Sequence, residues 1–126
     1  MNHFVNWSNH PSSSWSDEQY AAASALGEVV DIPFPNIPPD FDIRVIDSLA
    51  RRGVESISAA YPDRKGTVIH VQGEMTFLYR ALLLLEKEGY RAVASTSERQ
   101  VTFSPDGEKV VRFDFSGFRD YFLGKV

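Results

Sequence analysis

Three short polar clusters each close an apolar run: Asn6-Trp7-Ser8-Asn9-His10, Gln72-Gly73-Glu74-Met75-Thr76 and Ser95-Thr96-Ser97-Glu98-Arg99. Their residue types suit the handling of a small anion. The first cluster continues as Pro11-Ser12-Ser13-Ser14-Trp15, a serine-rich loop whose hydroxyl and amide donors precede a helix N-terminus, where anions are favoured. Such a loop is equally loop filler with N-cap candidates. His10 can donate to a phosphate or shuttle a proton, since an imidazole titrates near neutrality; its structural alternative is a simple surface or core histidine. Trp15 can stack on a base or pack beside the helix start. In the second cluster Gly73 lets backbone approach a ligand, Thr76 is a cap or a ligand contact, and Glu74 either moves protons or complements the helix dipole. In the third, Ser95, Thr96 and Ser97 offer hydroxyls, and Arg99 offers a permanent fork-shaped cation suited to phosphate. Its alternative is a surface ion pair with Glu98 or Asp114, worth little. Arg119 is a weaker candidate of the same kind.

The elements that must position these clusters are legible as alternating strands and helices. Phe4 to Ser8 favours a strand. Ser16-Asp17-Glu18-Gln19 has the form of a capping box and opens an alanine-rich helix through Leu26, with Gly27 as a left-handed residue past its end. Glu28 to Ile32 is the second strand, halted by Pro33 and Pro35. Asp40 or Asp42 caps a second helix with Ile46, Leu49, Ala50, Val54 and Ile57 at the 3.6-residue period. Gly53 within it implies a kink or a close contact. Thr67 to Val71 is nearly continuously apolar, as a strand covered on both faces is, and His70 inside it reads as a satisfied core histidine. A third helix runs from about Glu74 to Glu88, with Gly89 as its stop, and Tyr90 to Ala94 is the fourth strand. Val101-Thr102-Phe103 and Val111 to Phe115 then alternate with period two around Pro105-Asp106-Gly107, an antiparallel hairpin.

This order predicts one domain over residues 1–126: an α/β, three-layer Rossmann-like, mostly parallel sheet with a C-terminal antiparallel β-hairpin. Right-handed crossovers place strand 1 centrally, with strands 2 and 3 on either side. All three clusters then meet on the carboxyl edge of the sheet, where open α/β sheets bind ligands.

Composition bounds the function. The chain has 126 residues, a net charge of −4 and no cysteine. Disulfides and thiolate metal sites are thereby excluded, and the basic residues are scattered without the stripe that duplex nucleic acid requires. The three histidines, at positions 3, 10 and 70, have no metal-ligand spacing, and Gly-x-Ser-x-Gly is absent. The longest apolar run, Ala81 to Leu85, is too short to span a bilayer. No basic, apolar leader precedes the first strand, so a cytoplasmic protein with no membrane partner is expected.

Asn9-His10-Pro11-Ser12…Trp15-Ser16, Gly73-Glu74-Met75-Thr76-Phe77 and Ala94-Ser95-Thr96-Ser97-Glu98-Arg99 together resemble small stand-alone proteins of type III CRISPR loci, similar to the CRISPR-associated Rossmann fold (CARF). The resemblance covers nearly the whole chain, and its specificity comes from the order and placement of short motifs. It implies a homodimer that binds a cyclic oligoadenylate, cA4 or cA6, with no cofactor. With no output domain after the hairpin, it implies a ring nuclease in which a ribose 2′-OH attacks the adjacent phosphate without metal. The residues it points to are Arg99 for phosphate charge, His10 or Glu74 for proton transfer, and Asn9, Ser12, Ser13, Trp15, Gly73, Thr76, Ser95, Thr96 and Ser97 for binding. A non-catalytic sequestering module and a small interaction subunit are the alternatives.

Overall fold

The computed structural model describes residues 1–124. Five strands, β1 (His3–Ser8), β2 (Glu28–Asp31), β3 (Thr67–Gln72), β4 (Arg91–Phe103) and β5 (Lys109–Asp120), form one sheet in the order β2-β1-β3-β4-β5. β1 pairs in parallel with β2 and β3, so it lies inside the sheet with those two strands on either side. β3 pairs in parallel with β4 as far as Val93, and β4 pairs antiparallel with β5. Three helices join them: α1 (Asp17–Leu26), α2 (Ile43–Ala60) and α3 (Met75–Lys87). The arrangement is a mixed α/β fold with a mostly parallel sheet, consistent with a Rossmann-like architecture. Among the described residues no helix is long and apolar enough to cross a membrane.

Strand alternation divides the core between the two faces of the sheet. Val5, Trp7, Ile69, Val71 and Ala92 pack with Ile46, Ala50, Val54 and Ile57 of α2 and Phe77, Ala81 and Leu85 of α3. Phe4, Val68 and Val93 face the other way, toward Ala23 and Leu26 of α1, Trp15 and Phe118. The alanine-rich surface of α1 is what lets it lie against this second face.

Local chemistry fixes the helix starts. Ser16 Oγ accepts the Gln19 amide at 3.2 Å, and Asp42, of the two candidate caps, accepts the Arg44 and Val45 amides at 3.0 and 3.2 Å. Gly27 is extended (φ 168°) and not left-handed as expected. Gly53 leaves α2 helical and marks a close contact: a Cβ there would lie 2.3 Å from the Trp7 ring.

The largest departure from expectation is β4. It does not stop at Ala94 but runs on to Phe103, so the third polar cluster lies within a strand and the short Val101–Phe103 segment is its far end. The register slips between Thr96 and Ser97, a bulge in the ladder with β5.

Gly53→Ala tests the Trp7 contact. Alanine gains about 1 kcal/mol in helix propensity, but overpacking a rigid ring costs about 1–3 kcal/mol. A net loss of stability is expected in denaturant unfolding; an unchanged or raised midpoint contradicts the packing described.

Candidate functional site

The carboxyl end of β3, the loop between β1 and α1, the first turn of α1 and the middle of β4 and β5 surround a cavity of about 820 Å³. His10, Ser14, Trp15, His70, Gln72, Ser95, Thr96, Ser97 and Phe115 are among its lining residues. It therefore joins the first and third polar clusters, with Gln72 contributed by the second. The register slip leaves its extra residue, Ser116, on β5; Ser95 and Ser97 share one face of β4, and Thr96 between them gives its hydroxyl to the Gly117 carbonyl at 3.0 Å.

Beside the cavity a line of hydrogen-bonded polar side chains crosses four strands, buried at Asn6, Ser8 and His70, half-buried at Gln72 and Ser95 and exposed at Asp31. Asn6 Nδ2 donates to Asp31 Oδ1 at 2.8 Å and to the His10 carbonyl at 2.9 Å. Asn6 Oδ1 faces His70 Nδ1 at 2.9 Å and accepts from Ser8 Oγ at 2.7 Å. His70 Nε2 lies 2.8 Å from Gln72 Oε1 and 3.3 Å from Ser95 Oγ. Gln72 Oε1 accepts from the Ser95 amide at 3.0 Å and from Ser95 Oγ at 2.5 Å. The His70 ring, 2 % exposed, is boxed by Phe4, Trp15 and Phe118. Burial is the main force pushing its pKa down to about 4; the bond with Gln72 opposes that shift and the nearby His10 adds to it. At neutral pH the ring is uncharged.

The other candidates are placed as follows. Ser12 is tied to β2: its amide and hydroxyl donate to Asp31 at 3.2 and 2.8 Å. Burial works to raise the Asp31 pKa, but the bonds from Asn6 and Ser12 together hold it below the usual carboxylate value. Ser13 sits exposed in a single 3-10 turn, Ser12–Ser14. Trp15 packs edge-on against Phe4 and His70. Its buried Nε1 has no hydrogen-bond partner among the described residues. Asn9 and Glu74 line a second cavity of about 620 Å³, together with Pro11, Asp31, Phe34 and Ile37. Glu74 is the N-cap of α3: its carboxylate takes the Thr76 hydroxyl and the Thr76 and Phe77 amides, which depresses its pKa. Thr76 is thereby occupied as well. Gly73 opens space for a neighbour within the protein, because a Cβ there would lie 2.3 Å from the Phe34 ring.

Arg99 is not part of the cavity lining. It sits opposite Phe113, two residues beyond Ser97 and on the same face of β4, about 7 Å along the strand. It makes no ion pair among the described residues, and Asp114, one of its expected partners, is held by Arg112 at 2.9 Å. Arg119 pairs with Ala94 at the start of the ladder. No group of three or more metal-ligating side chains occurs among the described residues.

Asn6, Asp31, His70 and Gln72 belong to this site, and reading the sequence did not single them out as site residues. Asn6 and Gln72 open their clusters, and that position at the strand end was the available signal. His70 gave the opposite signal, a histidine inside an apolar strand.

Fold and rim together define a small α/β protein with a ligand-sized polar cavity at the carboxyl edge of its parallel strands. The chain belongs to the family described as Uncharacterized protein MJ1673 family, which matches residues 2–119. No curated protein and no solved structure matches it.

The depressed His70 pKa predicts how stability depends on pH. Between the ordinary histidine value of 6.5 and about 4, the unfolded chain binds a proton that the folded chain refuses. The contribution is therefore complete above 6.5 and is lost on acidification through that window, by at most about 3 kcal/mol. Denaturant unfolding at pH 7, 5.5 and 4.5 should show this decline, and His70→Asn should flatten it. An equal slope in the variant contradicts the assignment.

Proposed function

We propose that this protein is a CARF-like ring nuclease that binds and cleaves a cyclic oligoadenylate in the cytoplasm, switching off type III CRISPR signalling. The observation that carries this reading is the cavity that gathers His10, Trp15, Ser95, Thr96 and Ser97, residues of two of the motifs on which the resemblance rests. The Ser97 hydroxyl and the His10 ring offer donors to phosphate oxygens, Trp15 offers a ring edge to a base, and Arg99 stands two residues beyond Ser97 on the same face of β4. A two-fold ring ligand suits an isologous homodimer, in which each copy supplies one such cavity.

The reaction needs no metal. A ribose 2′-OH attacks the adjacent phosphorus in line and the 5′-oxygen leaves, giving a 2′,3′-cyclic phosphate. The site supplies orientation and charge stabilisation. A binding module without turnover is the second reading. It is favoured by the engagement of Glu74 in the α3 cap and by the position of Arg99 outside the lining.

Incubation with cA4 and cA6 in EDTA, followed by chromatography of the products, separates these readings. Cleavage is expected for the wild type. Arg99→Ala should lower it by about 100-fold or more, the scale for losing one transition-state donor. Tight binding without products supports sequestration, and neither binding nor products leaves an interaction subunit.

A further inference from the structure

The hydrogen bonds around His70 fix more than its position. Asn6 must present its oxygen to the ring, because its amide nitrogen already faces two acceptors, the His10 carbonyl and Asp31 Oδ1. Gln72 must present its oxygen as well, because that atom receives the Ser95 backbone N–H. Both ring nitrogens thus face oxygens that can only accept. A neutral ring satisfies one of them, and the tautomer with Nδ1–H on Asn6 Oδ1 is the one that leaves Nε2 to accept from a hydroxyl. The Nε2 lone pair then points at Gln72 Oε1, and the one donor within reach is the Ser95 hydroxyl. That hydroxyl has two acceptors, Gln72 Oε1 and His70 Nε2. The two acceptors thus offer an imidazolium a partner at each nitrogen, while burial outweighs them and keeps the resting ring neutral.

We propose that Ser95 and His70 form the proton-accepting pair of this cavity, with Asn6 and Gln72 holding the ring. The substrate is a phosphodiester with a neighbouring hydroxyl, and in that respect the proposal rests on the function given above. The ring is too enclosed to meet a substrate, whereas Ser95 is half-buried and lines the cavity. A ribose 2′-OH seated on Ser95 Oγ gives its proton to that oxygen as Ser95 passes its own proton to His70 Nε2. The 2′-oxygen–phosphorus bond forms, the phosphorus–5′-oxygen bond breaks, and the departing 5′-oxygen takes a proton from water. The imidazolium is then held by Asn6 Oδ1 and Gln72 Oε1 and later returns its proton through Ser95 to solvent. The titratable groups around the pair are His10 from the β1–α1 loop, Glu18 from α1, Asp114 from β5 and, behind Asn6, Asp31 from β2.

The test uses full-length wild type, Ser95→Ala, Ser95→Thr and His70→Asn with cA4 and cA6 in EDTA. Ser95→Ala should bind the ring within about twofold of wild type and lose about 100-fold or more in kcat, and Ser95→Thr, which keeps the hydroxyl, should restore most of it. Wild-type kcat should fall on acidification with the midpoint found for His70 by nitrogen-15 NMR, and the residual activity of Ser95→Ala should lack that limb. The NMR spectrum at pH 7 should show Nδ1 protonated and Nε2 bare. A purely structural serine would weaken binding and stability together and leave the pH limb in place, which overturns the proposal. Full turnover in Ser95→Ala, or a proton on Nε2 at pH 7, overturns it while the ring-nuclease reading stands. A wild type that cleaves neither ring overturns that reading, and the proton path falls with it.

Discussion

β1 is the constraint on which the rest depends. Every residue from Phe4 to Ser8 is buried, with helices on both faces of the sheet, so each side chain must be satisfied within the protein. Val5 and Trp7 meet this with apolar contacts to α2 and α3. Asn6 and Ser8 point the other way and cannot. A buried amide or hydroxyl without a partner costs about 1–3 kcal/mol, so Asn6 recruits Asp31, His70 and the His10 carbonyl. Those are the partners that one buried asparagine requires, and His70 carries the line on through Gln72 to Ser95 of β4.

That line also accounts for how well the cavity is built. Its wall comes from strand ends and a strand interior, the stiffest parts of the fold, while the serine loop is stapled to β2 through Ser12 and Asp31. His70 is fixed at both nitrogens and boxed by three aromatic rings. Ser95 and Ser97, on one face of β4, bring their side chains to that wall, while the register slip places its extra residue, Ser116, in β5. Position is set by elements far apart in sequence, and chemistry is added by a few short side chains.

Much of the fold was legible, because Thr67 to Val71 and the α2 apolar stripe carry strong periodic signals that burial requires. The meeting of the first and third clusters followed from strand order alone. The extent of β4 was not legible: Ser95 to Gln100 is a polar run with the composition of a loop, and it is a strand because β5 pairs with it. The His70 contacts were hidden for a related reason, since Asn6 and Ser95 lie 64 and 25 positions away in sequence. Glu74 behaved as its local context implied, an acid at a helix start occupied by its own backbone.

β3 ends at Gln72 while its neighbour β4 goes on to Phe103, and the pairing between them stops at Val93. The far half of β4 and β5 thus forms a two-stranded arm with a bare ladder on its inner side and exposed Val101, Phe103, Val110, Val111 and Phe113. Bare ladders with apolar side chains seed uncontrolled self-association, and charges along them are the usual guard. Glu98, Arg99, Lys109 and Arg112 stand in that role here. Their worth lies in keeping the folded chain dispersed, a benefit that no tally of its internal contacts would register.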